Sequence, residues 1–111
     1  MEESAMIARL WSARTTEAQS HHYLRHFSAA VLPALRSVPG YSSATVFTRP
    51  SEAGIEILVI TFWQSFKAID AFAGKDREAA VVAPEAAALL SDYDRRVRHF
   101  EMPITDGVTF G

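Results

Sequence analysis

Residues 55–64 read Ile55-Glu56-Ile57-Leu58-Val59-Ile60-Thr61-Phe62-Trp63-Gln64. Successive side chains of a strand point to opposite sides, so Ile57 and Val59 share one face and Leu58, Ile60 and Phe62 the other. A strand with one side in water alternates apolar with polar residues, and this one is apolar on both. It is therefore expected to be a central strand covered on two sides. Immediately before it, Arg49-Pro50-Ser51-Glu52-Ala53-Gly54 is turn chemistry, and residues 41–48, with Val46 and Phe47, form the preceding strand of a hairpin.

Working toward the N-terminus, Pro39-Gly40 closes a helical pattern in which Leu24, Phe27, Val31, Leu35 and Val38 recur at steps of three and four. Thr15 or Thr16 offers the cap and Glu17 lies in the first turn. Pro33 falls inside this pattern, so the helix kinks there or restarts with Pro33 in a new first turn. Residues 6–14 make a first strand, with Ile7, Arg9 and Trp11 on one face. Toward the C-terminus, Ser65 caps a helix through Phe66, Ala68, Ile69 and Phe72 that Gly74 stops. Residues 76–82 and 84–93 carry Ala, Leu and Glu at helical spacing. Residues 95–102 alternate as a last strand, Val97, His99 and Glu101 opposite Arg98, Phe100 and Met102. Val108 and Phe110 in the tail could dock elsewhere on the protein. The order strand, helix, strand, strand, helix, strand closes most simply as an α+β, ferredoxin-like βαββαβ sandwich with an antiparallel sheet, one domain over residues 1–111. Helices cover one face of that sheet. A second copy of the same sheet is the simplest cover for the other, which predicts a homodimer with sheets packed face to face.

Composition narrows the function. The 111 residues hold 11 Lys+Arg against 13 Asp+Glu, a net charge of -2, which supports no nucleic-acid partner. There is no cysteine, so disulfides, thiolate nucleophiles and cysteine metal sites are excluded. Neither an export signal at the acidic N-terminus nor a bilayer-length apolar run is visible, which leaves no membrane partner and a cytoplasmic location as the expectation. None of the glycines forms a phosphate-binding loop, and no nucleotide cofactor is expected.

The strand Ile7-Ala8-Arg9-Leu10-Trp11, the break Val38-Pro39-Gly40-Tyr41, the run Thr61-Phe62-Trp63-Gln64-Ser65 followed by Ala68-Ile69-Asp70-Ala71-Phe72, and Val97-Arg98-His99-Phe100-Glu101 together resemble the antibiotic biosynthesis monooxygenase domain. That family is a branch of the dimeric α+β barrel superfamily, and the resemblance spans residues 6–102. It implies a ligand cavity between the helices and the sheet of each subunit, and chemistry that ranges from cofactor-free oxygenation to haem degradation. Haem-degrading relatives carry an Asn on the first strand, a Trp at the end of the third and a His on the following helix. Trp63 matches the Trp, but the chain has no Asn, and Ala79, Ala80, Val81 and Val82 stand where the His is sought. The expectation is a protein with no cofactor and no metal.

Oxygenation without a cofactor needs a substrate that becomes an electron-rich anion, a base to take its proton and a cation to hold it. His99 on the last strand is the candidate base, with Glu101 on the same side to orient it; Arg9 is the candidate cation. Trp63 and Trp11 are candidates to line an aromatic pocket, whereas Phe62, Phe66 and Phe72 read as core. In the run from His21 to Phe27, His22 and His26 share a helical face, and His22, Tyr23 and His26 could contact the ligand. Two imidazoles without a third ligand make no metal site. The reaction expected is oxygenation of a small aromatic or quinol-type molecule. The alternatives are a non-catalytic small-molecule-binding or stress-associated dimer, and a dimer whose pocket is filled by its own Phe and Trp side chains. A cavity of about 300 Å³ or more beside His99 would favour the oxygenase or the small-molecule binder over the self-filled dimer.

Overall fold

Thr16 separates the first two elements of the computed structural model, which describes residues 6–107. Its hydroxyl accepts the Gln19 N–H at 3.1 Å, closing β1 (Ile7–Thr15) and opening α1 (Glu17–His26). The tail residues Val108 and Phe110 lie outside the described range. A π-helical turn, Phe27–Val31, follows α1 and leads into α2 (Leu32–Arg36), with Pro33 in its first turn. A proline there has no N–H to leave unpaired, and the wider turn before it accommodates the ring that would collide with a regular helix. Gly40, at φ +93°, turns the chain into β2 (Tyr41–Ser51). A Cβ at Gly40 would lie 2.5 Å from that of Ala68, so only glycine fits the approach.

β2 pairs with β3 (Gly54–Trp63) from Tyr41↔Trp63 to Ser51↔Gly54, leaving Glu52-Ala53 as a two-residue turn. The hairpin loop is thus shorter than the six residues of turn chemistry suggest. Pro50 is tolerated inside β2 because this strand is the edge of the sheet, where a missing N–H breaks no ladder. α3 (Phe66–Ala73) starts on Ser65, whose hydroxyl accepts the Ala68 N–H at 3.1 Å.

The greatest departure from the sequence pattern lies between residues 76 and 93. Only α4 (Pro84–Ala87) is helical there, and Asp92–Tyr93 forms a short strand, β4, against Ala13 and Arg14 of β1. Residues 76–82 run instead beside residues 95–97: the Ala80 N–H reaches the Arg95 carbonyl at 2.9 Å and the Val97 N–H the Glu78 carbonyl at 2.8 Å. Two carbonyls that a helix would use, those of Arg77 and Ala79, accept instead from the Arg9 guanidinium. Tertiary hydrogen bonds to a buried cation override the helix propensity of alanine. β5 is accordingly confined to Arg98–Glu101.

The strand order is β2-β3-β1-β4, with β5 also on β1, all antiparallel. This is the ferredoxin-like βαββαβ arrangement extended by β4. Register puts Arg9 between Thr61 and His99, and Trp11 opposite Val59, on the helix-covered face. Tyr23, Phe27, Leu35 and Ile69 from the helices pack there against Ile57, Val59 and Trp63. On the outer face Leu10, Leu58, Ile60 and Phe62 stay partly exposed, and Phe100 is 46% exposed. Phe62 is therefore not core of the single chain. No helix among the described residues is long and apolar enough to cross a membrane.

Candidate functional site

Arg9 is 5% exposed and sits in the first half of β1, facing the helices. Its Nη1 donates to the Arg77 carbonyl at 2.7 Å and lies 2.9 Å from Nε2 of His99; Nη2 donates to the Ala79 carbonyl at 2.9 Å. Arginine has only donors, so Nε2 accepts and the neutral His99 ring carries its proton on Nδ1. The guanidinium also stands over the Phe72 ring, 5.7 Å from its centroid. No carboxylate pairs with it among the described residues. Burial alone pushes its pKa down to about 10, and it remains a cation at neutral pH.

The neighbouring arginines are neutralised at the surface. Arg77 forms a two-point pair with Asp70 at 2.7 and 2.8 Å above the Phe66 ring, and Arg96 reaches Asp76 and Glu78. Arg9 is different because, among the described residues, its positive charge is met by carbonyl dipoles, a ring nitrogen and the face of Phe72, with no carboxylate. A buried charge without a counter-ion is expensive, and anion-binding sites retain such charges.

Beside Arg9 the helices and sheet form a mainly apolar, partly open cavity of about 80 Å³, which is smaller than the volume of about 300 Å³ expected beside His99 and is not lined by His99. Trp11, Val59 and Thr61 of the sheet form its floor, Tyr23, His26 and Phe27 of the long helical segment one wall, and Phe72 with residues 81–83 the other. The Tyr23 hydroxyl makes no hydrogen bond among the described residues, and burial pushes its pKa up, so it stays protonated. Nε2 of His26 is buried and likewise has no partner. Trp11 leans on Tyr23 with centroids 6.2 Å apart and donates Nε1–H to the Asp94 carbonyl at 2.8 Å.

Four of the residues singled out in the sequence thus meet at the cavity: Arg9, Trp11, Tyr23 and His26. The other four do not line it. His99 stands behind Arg9, edge-on to Phe66 at 5.6 Å. Its pKa is lowered first by burial, then by the charges of Arg9 and Arg77, with Glu78 and Asp70 opposing. Trp63 is fully buried between Tyr41 and Phe72, its Nε1–H given to the Thr61 hydroxyl at 2.8 Å. His22 is exposed on α1. Glu101 shares the inward parity of His99, but it lies opposite Ile7 at the exposed end of β5 and bonds to neither His99 nor Arg9. Among the described residues no three His, Asp or Glu side chains are grouped to hold a metal. Phe72, read as core, is cavity wall, and residues 81–83 gave no signal because an alanine- and valine-rich run reads as helix.

No curated protein matches the chain. Among solved structures, a Bacillus cereus protein named for antibiotic biosynthesis monooxygenases superposes with a TM-score of 0.65 at 13% identity, covering 96% of this chain and 99% of that one. A haem-degrading protein of Mycobacterium tuberculosis, solved haem-free, gives 0.60 at 18% identity, over 96% and 100% of the two chains. A Streptomyces coelicolor monooxygenase in complex with nanaomycin D gives 0.54 at 21% identity, over 97% and 94%. At these identities the likeness is one of fold. The sequence itself is more specific: a family model matches residues 6–84, and the chain belongs to the antibiotic biosynthesis monooxygenase family.

Proposed function

We propose that this protein is a cofactor-independent monooxygenase that binds a small hydroxyaromatic or quinol-type molecule as its anion between helices and sheet. The observation that carries this reading is Arg9, a buried cation with no carboxylate partner among the described residues, facing an apolar cavity. Such a charge stabilises a phenolate or enolate far more strongly than it would in water. The anion then reduces dioxygen: one oxygen atom enters a ring carbon as a carbonyl, and the other leaves as water with the hydrogen of that carbon and the proton given up when the anion formed. His99 acts through Arg9, since its Nε2 lone pair is already engaged by the guanidinium. A monooxygenase of the same fold, solved with a ligand bound, supports an oxygenase reading.

Haem chemistry fits poorly. The cavity of about 80 Å³ is well below the roughly 300–1,000 Å³ of cofactor and drug-sized sites, and no His stands on residues 79–82. Oxygen uptake with a panel of quinols and anthrone-like compounds tests the reaction, expected as one O₂ consumed per substrate oxidised. An inert protein across that panel would leave only the ligand-binding role.

The reading includes a homodimer through the outer sheet face, where Leu10, Leu58, Ile60 and Phe62 would otherwise meet water. Ile60→Asp places a charge in the middle of that face and is expected to give single chains in sedimentation at micromolar concentration. Wild type sedimenting as single chains with intact secondary structure would remove the dimer from the proposal.

A further inference from the structure

We propose that Asp70 is a positioning residue of the site: its two-point pair with Arg77 holds the Arg77 carbonyl against the Arg9 guanidinium and so fixes which way the buried cation points. The inference rests on the anion-binding reading of Arg9 and names a residue that sets its geometry. Phe66 and Asp70 lie four apart on one face of α3. Together they grip Arg77, whose guanidinium stands 4.3 Å from the Phe66 centroid while Nε and Nη2 donate to the two Asp70 oxygens at 2.7 and 2.8 Å. A lone exposed ion pair holds little in place, but a two-point pair backed by an aromatic ring has a defined geometry. The backbone carbonyl of the same arginine accepts from Arg9 Nη1 at 2.7 Å. That nitrogen also lies 2.9 Å from His99 Nε2, and the His99 ring meets Phe66 edge-on at 5.6 Å. Arg77, Arg9, His99 and Phe66 thus close a ring of contacts, with Asp70 fastening it from the surface.

The two carbonyls that meet Arg9 are held by different means. Glu78 and Ala80 bond through their backbones to Val97 and Arg95, so the Ala79 carbonyl between them is steadied on both sides as it accepts from Arg9 Nη2 at 2.9 Å. Arg77 precedes that ladder and lies in no helix or strand. Its carbonyl is kept in place through its side chain. Both N–H groups of Arg9 Nη1 and one of Nη2 are engaged, which leaves Nε–H and the second Nη2–H to meet a ligand. Loss of the Arg77 carbonyl frees the fork to turn and takes those two donors out of line.

Nuclear magnetic resonance of the ligand-free protein tests the assignment through His99 and Arg9. Burial, then the charges of Arg9 and Arg77, lower the His99 pKa, and Glu78 and Asp70 oppose them. Were the charge of Asp70 acting alone, Asp70→Asn would lower that pKa further. Release of Arg77 works in the opposite sense, because one cation leaves and water reaches Arg9. Asp70→Asn is therefore expected to raise the His99 pKa toward its ordinary value and to make the Arg9 N–H groups exchange with water about tenfold faster. Arg77→Lys, which keeps the charge without the fork, should show the same faster exchange, and Asp70→Glu should restore most of the wild-type behaviour. Asp70→Asn combined with Arg77→Met should go no further than Asp70→Asn. The Arg77 and Asp70 side chains are 41% and 43% exposed, so these variants leave the core intact. A His99 pKa that falls or stays in Asp70→Asn, unaltered Arg9 exchange, or additive effects in the double variant would each overturn the assignment. An inert protein in the oxygen-uptake panel would refute the reaction proposed above and leave the Asp70 result standing.

Discussion

Arg9→Met should weaken the binding of a phenolate or quinol anion by about 10–100-fold and lower any oxygenation rate to the same degree, because a charge-assisted hydrogen bond is worth about 1.5–3 kcal/mol. The substitution keeps an apolar chain of similar reach against Phe72 but leaves the Arg77 and Ala79 carbonyls and the His99 nitrogen without their donor. Arg9→Lys should recover little. A single ammonium cannot span two carbonyls and an imidazole while also meeting a ligand, as the planar fork does. Isothermal titration with both variants checks the ratio; equal affinity in Arg9→Met and wild type would show that the cation takes no part in binding.

The same cluster predicts a pH effect through His99. Its folded pKa lies below the ordinary value of about 6.5, so the unfolded chain takes up a proton first as pH falls. The stability of neutral His99 is present above about pH 6.5 and is lost as pH drops through its lowered folded value. His99→Gln, which keeps an acceptor for Arg9 but does not titrate, should show a flatter decline of Tm between pH 6.5 and 5 than wild type.

Trp63→Ala should destabilise the fold by about 3–5 kcal/mol, enough to unfold a domain whose total is about 5–15 kcal/mol. The ring is fully buried, wedged between Tyr41 at 5.5 Å and Phe72 at 5.4 Å, and its removal opens a void the surrounding sheet cannot close. Chemical denaturation gives the number. Trp63→Phe separates packing from recognition: it should cost much less and leave ligand affinity within about twofold, since Trp63 is outside the cavity wall. A large loss of affinity with unaltered stability would return Trp63 to the ligand site. Trp11→Ala should behave in the opposite way, with a smaller stability loss and a larger effect on binding.

What could be read from the chain followed from how strongly each segment's pattern depended on distant partners. β3 and the helical run from α1 through α2 carry their periods in their own apolar residues, and the structure has the outer bounds of both within a residue or two of those expected, with the break near Pro33 made by a π-helical turn. Residues 76–93 do not: alanine favours a helix wherever nothing competes, and here the Arg9 guanidinium and the ladder to residues 95–97 compete successfully. The site shows the same division. Parity along β1 correctly paired Arg9 with Trp11 on the inner face, and the cross-strand register brought His99 beside Arg9. Which lone pair of His99 is engaged, and that Trp63 turns its ring into the core while Phe72 turns toward the cavity, depends on distances of a few ångströms that no spacing rule encodes.

Pro50 near the end of β2, the irregular register at Ser43 and the two-residue length of β4 together blunt both rims of the sheet. The free backbone run on the β2 rim is thereby confined to residues 44–49, which limits the recruitment of further copies strand by strand into a fibre. Crowding this protein should therefore yield a finite particle, with the limit set by a few interrupted hydrogen-bonding positions.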